Sequence, residues 1–195
     1  MDYEIPRELE TSEIKQIVQD YRQAAINALT AGFDDVELHA AFGYPSNQFL
    51  VNSVNQRSDE YGGMIDSDPT ALYSFLIAEL NRLKPSCVHL MQALFPLDDF
   101  PTWPKDALAQ FGPLIETSII TNCGYDGISA EAILANNKAS PISFGTSFIA
   151  NPDLPERIAN DWLLATPDKN TIYGGEMMKV ISAIQITGSN DECET

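Results

Sequence analysis

Apolar residues recur at helical spacing early in the chain, where Ile14, Ile17, Val18, Tyr21, Ala24, Ala25 and Ala28 fall on one face of a 3.6-residue period. Thr11 stands where a capping side chain is expected, and Gly32 where a left-handed residue would stop the helix. Phe33 to Leu38 then reads as a buried strand. Leu72, Phe75, Leu76, Leu80 and Leu83 predict a second helix from about Thr70 to Leu83, ended by Lys84-Pro85 before a strand Cys87 to Leu90. The alternation continues with a short helix around Lys105 to Phe111, a strand Ser118 to Thr121 and a helix Ser129 to Asn136. A strand Pro141 to Gly145 and a helix Asp153 to Asn160 complete it. Helices alternating with short apolar strands imply an α/β fold with parallel pairing. One domain over residues 1–187 is expected, with residues 188–195 as a disordered polar tail.

Composition narrows the classes. Hydrophobic residues make up 44% of the 195, yet no run of apolar residues is long enough to cross a bilayer. No basic segment followed by an apolar one opens the chain, so no secretory signal is expected. Cys87, Cys123 and Cys193 are odd in number and lack close spacing, which favours reduced thiols and a cytoplasmic location over a disulfide framework or a metal site. Eleven basic against 28 acidic residues give a net charge of −17, which argues against nucleic acid or an acidic membrane as partner. The same field disfavours a phosphate ligand unless a local cation offsets it.

Two segments carry more specific information: Phe33-Asp34-Asp35-Val36-Glu37-Leu38-His39-Ala40-Ala41-Phe42-Gly43-Tyr44, and Asn55-Gln56-Arg57-Ser58-Asp59-Glu60-Tyr61-Gly62-Gly63, with Gln48-Phe49-Leu50 between them. In order and spacing they resemble the old yellow enzyme family of flavin-dependent ene-reductases, whose members read G-F-D-G-V-E-[IL]-H-x-A-[NH]-G-Y and N-x-R-[ST]-D-x-Y-G-G. Pro6-Arg7-Glu8-Leu9, Val88-His89-Leu90 and Ile119 to Tyr125 are similar to further family patterns, as is Phe144-Gly145-Thr146-Ser147-Phe148-Ile149-Ala150-Asn151-Pro152-Asp153-Leu154-Pro155-Glu156-Arg157. The resemblance ends near Gly174.

The family fold is a (β/α)8 barrel, which takes about 250 residues, against 195 here. The resemblance therefore implies a partial TIM barrel with about four parallel strands. The family's first three strands would lie before Met1, and one internal strand, bearing an arginine that reaches the flavin, is not found after Gly63. Free sheet edges would then favour a homodimer.

The resemblance also implies a chemistry: FMN as cofactor, NAD(P)H as reductant and an α,β-unsaturated carbonyl compound as substrate. By position His39 would bind the substrate oxygen and Tyr44 would be the catalytic proton donor. The family's second oxygen-binding position holds Phe42, which has no N–H to offer, so slow turnover is expected. Asn47 and Gln48 are the nearby amides that could substitute. For the FMN phosphate the matching positions are Cys123, Gly124, Gly145 and Thr146, where Cys123 replaces a glycine and Thr146 an arginine.

Structural readings stand beside these. His39 could be a hydrogen-bonded loop residue and Tyr44 a packing aromatic. His89, between Val88 and Leu90, reads as a core histidine, and Arg57 with Asp59 as a loop ion pair. Cys123 lacks a basic neighbour in sequence that would activate its thiol. Two functions remain open, an FMN-dependent ene-reductase with impaired activity and a catalytically inactive fragment, either an interaction protein or a truncated gene product. Bound flavin would separate them.

Overall fold

The computed structural model describes residues 7–51, 54–62, 68–93, 96–168 and 172. The expected tail, Cys193 and the junction at residues 63–67 lie outside them. The chain forms two compact units, Met1–Ser67 and Asp68–Thr195.

In the first unit, α1 spans Thr11–Thr30 and α2 spans Pro45–Leu50. Glu10, not Thr11, is the N-cap of α1. Glu13 accepts its backbone N–H at 2.8 Å, and the Thr11 hydroxyl is instead donated to Asp59 at 2.7 Å. At the other end Gly32 (φ 96°) behaves as expected. The N–H groups of Gly32 and Phe33 return to the carbonyls of Leu29 and Ala28, a Schellman closure that satisfies the last carbonyls.

Glu13 also accepts two hydrogen bonds from the Arg7 guanidinium. That partner first, and the Glu10 N–H second, hold its carboxyl down from the ordinary 4.5 to about 2. Because the folded value is the lower one, this support is complete above pH 4.5 and is lost as pH falls towards 2. The first turn of α1 is therefore expected to fray over that interval. Amide exchange at residues 11–14 would show it, and unchanged protection at pH 2 would contradict it.

Phe33 to Leu38 is not a strand. The described sheet runs β1-β2-β3 and all its members follow Asp68, while Phe33, Val36 and Leu38 are exposed. A strand exists only through a ladder with a neighbour, and apolar content alone does not supply one. The four strands expected are thus three in the described residues.

The second unit begins with α3, Pro69–Leu83, capped by the Asp68 side chain on the Ala71 N–H at 3.0 Å and closed by Lys84 at φ 52°. β1 (Cys87–Met91) pairs in parallel with β2 (Ser118–Asn122), Cys87 opposite Ser118, and β2 pairs in parallel with the two-residue β3 (Ile142–Ser143). Between them lie α4 (Ala107–Phe111), a 3-10 turn (Gly112–Leu114) and α5 (Gly127–Ala135), with α6 (Thr146–Ala150) and α7 (Leu154–Ala159) after β3. The parallel alternation is as the sequence implies, with α2, the 3-10 turn and α6 as additions.

Leu108, Ile119 and Ala139 form the core with Leu90, Ile115, Ile133 and Ile142. Asn81 ties the end of α3 to the approach of β2, donating to the Leu114 carbonyl at 2.8 Å and accepting the Glu116 N–H at 3.2 Å. A Cβ on Gly127 would lie 2.7 Å from Ile158 Cγ2, so α5 starts at glycine because α7 lies against it.

Candidate functional sites

In the first unit, the His39 loop is shaped by two successive positive-φ residues, Phe42 (55°) and Gly43 (75°), closed by the Tyr44 N–H on the Ala41 carbonyl at 3.2 Å. Positive φ at both central positions is the signature of a type I′ turn. Asn47 and Gln48 clamp the Gly43 residue from α2. Asn47 Oδ1 accepts its N–H at 2.9 Å, and Gln48 Nε2 donates to its carbonyl at 2.6 Å. Gln48 therefore commits one of its two N–H donors to the loop.

This turn brings the three side chains marked by the sequence into one cluster. The Tyr44 ring lies 4.5 Å from that of His39, and the Phe42 ring meets His39 edge to face at 5.8 Å. All three are exposed, Phe42 by 54% and Tyr44 by 55%. His39 and Tyr44 present a hydrogen-bonding nitrogen and a phenol side by side, whereas Phe42 offers only a ring face.

The Asn55 to Gly62 segment is a clamp. Asn55 donates to the carbonyls of Phe49 and Tyr61 at 2.9 and 2.7 Å. Arg57 grips the Asp59 carboxylate through two nitrogens and reaches the Leu9 carbonyl and Glu8. The guanidinium, then the Thr11 hydroxyl, hold the Asp59 carboxyl far below the usual carboxylate range. Gly62 is required here, since a Cβ would sit 2.7 Å from the Arg57 carbonyl oxygen. The motif positions the loop, as an ion-pair reading implies.

In the second unit, Cys123 and Gly124 follow β2 with φ of 69° and 81°, and Gly145 follows the neighbouring β3 as N-cap of α6. The space beside the Cα of Gly124 and of Gly145 is open within 4 Å. Bare backbone at adjacent strand ends lets N–H groups approach an anion. Thr146 is the first residue of α6. Burial pushes the Cys123 thiol up, and Sγ lies 3.4 Å from Asn122 Oδ1, so it is no ready nucleophile.

Cys123 and Gly124 also line an open cavity of about 450 Å³ with Gln92, Lys105, Asp106 and Tyr125. Gln92 organises it, donating to Asp106 at 2.8 Å and to the Tyr125 hydroxyl at 3.1 Å and accepting the Ala107 N–H at 2.8 Å. The Tyr125 hydroxyl continues to Thr121 at 3.2 Å. Burial raises Asp106, but hydrogen bonds from Ala109 and Gln92 and the Lys138 charge outweigh it and leave this carboxyl below its ordinary value. Gln92, Lys105 and Asp106 were not marked as site residues by the sequence. The available signal was Asp106, an N-cap residue type that starts α4 two positions later than the apolar pattern suggested and so leaves Lys105 in a strand-end loop.

His89 Nε2 lies 3.1 Å from Ser143 Oγ, a half-buried link across the sheet that fits a structural histidine. The Phe144 to Arg157 motif is likewise structural in part. Fully buried Asn151 and nearly buried Arg157 hold the backbone of Ala165 and Leu163. Among the described residues, no group of three or more His, Cys, Asp or Glu could hold a metal ion, and no helix is long and apolar enough to cross a membrane.

Comparison with known proteins gives consistent results. The model of the NADH:flavin oxidoreductase / NADH oxidase family matches residues 1–68. The chain is 32% identical over 212 residues to 12-oxophytodienoate reductase 1 of Oryza sativa subsp. japonica, covering 89% of this chain and 56% of that one. It is 31% identical to a protein of the same plant provisionally named 12-oxophytodienoate reductase 10, covering 89% of this chain and 68% of the other. A solved structure of morphinone reductase in complex with tetrahydroNAD matches with a TM-score of 0.81 and 33% identity over 96% of this chain and 60% of that one. The chain thus spans about half the length of the first relative. It belongs to the NADH:flavin oxidoreductase / NADH oxidase family.

Proposed function

We propose that the protein is an FMN-dependent NAD(P)H oxidoreductase that reduces activated C=C bonds of α,β-unsaturated carbonyl compounds. The observation that carries this reading is the convergence of His39 and Tyr44, with rings 4.5 Å apart on one clamped turn, in a chain of this family. The morphinone reductase it resembles was solved with tetrahydroNAD, which supports a nicotinamide reductant. A partial (β/α)8 barrel over residues 1–187, a cytoplasmic location and self-association through the outer strands β1 and β3 belong to the same proposal.

The residues present fit a phosphate in their backbone. Gly124 and Gly145 leave open space at the ends of neighbouring parallel strands, where their N–H groups would hold the FMN phosphate with Cys123 and Thr146 beside them. Reduced flavin, when bound, supplies a hydride to the β-carbon of the alkene. His39 binds the substrate carbonyl oxygen and disperses the charge that builds there, and Tyr44 O–H gives its proton to the α-carbon. Phe42 lines the substrate position with a ring and adds no donor. With one side-chain donor in place of two, turnover is slow.

A visible absorption spectrum of the purified chain during FMN titration is the test. Bound FMN is expected, with enone-dependent reoxidation that His39→Ala and Tyr44→Phe each slow by about 100-fold or more. A colourless protein indifferent to added FMN would instead support a non-catalytic interaction protein. Phe42 at the second donor position is the observation that favours that second reading.

A further inference from the structure

The N-terminal ends of β2 and β3, opposite to the ends that carry Gly124 and Gly145, adjoin a second cavity of about 500 Å³. That volume falls in the range of small-molecule sites. Leu108 and Ile119 of the core give it an apolar floor, and Thr117, Ser118, Asn137, Lys138 and Ser140 bring polar groups to it. Two backbone closures hold these residues in place. Asn137 (φ 52°) and Lys138 return their N–H groups to the carbonyls of Leu134 and Ile133, a Schellman closure of α5. The Ser140 N–H is tied to β2 through the Ile119 carbonyl at 2.9 Å.

The charge of this cavity runs against that of the chain. Net charge is −17, yet Lys138 is the one charged side chain in the lining, and Glu116, next to Thr117 in sequence, is not part of it. Asp106 feels the Lys138 charge, but no ion pair engages this ammonium among the described residues. Thr117 supplies an independent sign of a missing partner. Its Oγ1 is the one buried side-chain polar atom without a hydrogen bond among the described residues, a state that costs stability. The hydroxyl is off the cavity surface in the position it holds. A threonine has three staggered χ1 positions, so a ligand oxygen in the cavity would give this hydroxyl a reason to turn towards it.

We propose that this cavity binds a small organic carboxylate, with Lys138 as its counter-ion, the Thr117 hydroxyl as a donor and the apolar body of the ligand over Leu108 and Ile119. One ammonium among neutral hydroxyls and an amide balances a single negative charge and leaves a dianion undercompensated. The assignment is independent of the flavin reading.

Benzoate and its neutral isostere benzamide are the probes, titrated into the full chain while backbone amide shifts are followed by NMR. Benzoate should shift residues 112–119 and 137–140 saturably and bind about tenfold or more tightly than benzamide. Lys138→Gln, a change at an exposed side chain, should bring benzoate to the benzamide level. Thr117→Val should weaken both ligands about fivefold, the worth of one ordinary hydrogen bond. Because the hydroxyl has no partner in the free protein, the same variant should not lower the urea midpoint. No saturable shift below about 10 mM benzoate, or shifts confined to other residues, overturns the site. Equal binding of the two probes, or a preference for benzoate that survives Lys138→Gln, overturns the carboxylate assignment. A lower urea midpoint for Thr117→Val with unchanged binding makes that hydroxyl structural and overturns its role as donor.

Discussion

Replacing Phe42 with asparagine is expected to raise the rate of enone reduction by about 100- to 1,000-fold, the range associated with one oxyanion donor. On the proposed reading Phe42 stands where an amide beside His39 would face the same substrate oxygen, and its ring meets His39 edge to face at 5.8 Å. The backbone already suits the substitution. At φ 55° a phenylalanine is strained by about 1–2 kcal/mol, whereas asparagine visits this left-handed region more readily. Against that relief stands the lost aromatic contact, about 0.5–1.5 kcal/mol. The two nearly cancel, so stability should change by less than about 1 kcal/mol while the rate changes by orders of magnitude. Stopped-flow reoxidation of the reduced, FMN-loaded protein by an enone, beside urea unfolding of both forms, separates the effects. An unchanged rate with unchanged stability would remove His39 and its neighbour from the proposed oxygen-binding role.

Asn151→Ala should be the most damaging single substitution outside the candidate site. The side chain is fully buried and makes three hydrogen bonds: Nδ2 donates to the Ser147 carbonyl at 2.8 Å and the Ala165 carbonyl at 3.0 Å, and Oδ1 accepts the Ala165 N–H at 2.8 Å. Alanine strands three backbone groups at once, each costing about 1–3 kcal/mol if it stays dry. Half-buried Ala165 regains some water, which brings the expected loss to about 3 kcal/mol and frees the segment 161–165 that Arg157 holds from the other side. Urea unfolding should show the lost stability, and limited proteolysis should cut near Leu163 first. A loss below about 0.5 kcal/mol, the scale of an ordinary surface change, would mean that the segment does not depend on this asparagine.

Asn151 and Arg157 also show how a motif can be legible while its work is not. The sequence marked Phe144 to Arg157 through its resemblance to a flavoprotein pattern. Only the fold shows that the asparagine and arginine hold a loop, while Gly145 leaves open space beside its Cα. The same holds for Asn55 to Gly62, where the ion pair of Arg57 and Asp59 follows from spacing but its grip on Leu9 and Thr11 does not.

What the chain's order of residues determined by itself was local. α1 and α3 follow from apolar periodicity and their end signals, because helical hydrogen bonds close between residues four apart and need nothing remote. β1 and β2 are visible as short apolar runs between helices, and their parallel pairing follows from those crossovers. The family and the cluster of His39, Phe42 and Tyr44 are also legible, since one turn joins neighbours in sequence. Tertiary structure decided whatever depends on a distant partner. Phe33 to Leu38 has strand composition but no place in the sheet β1-β2-β3. Gln92, Lys105 and Gly124 meet only because the loops after β1 and β2 wall one cavity, a convergence that no local period encodes.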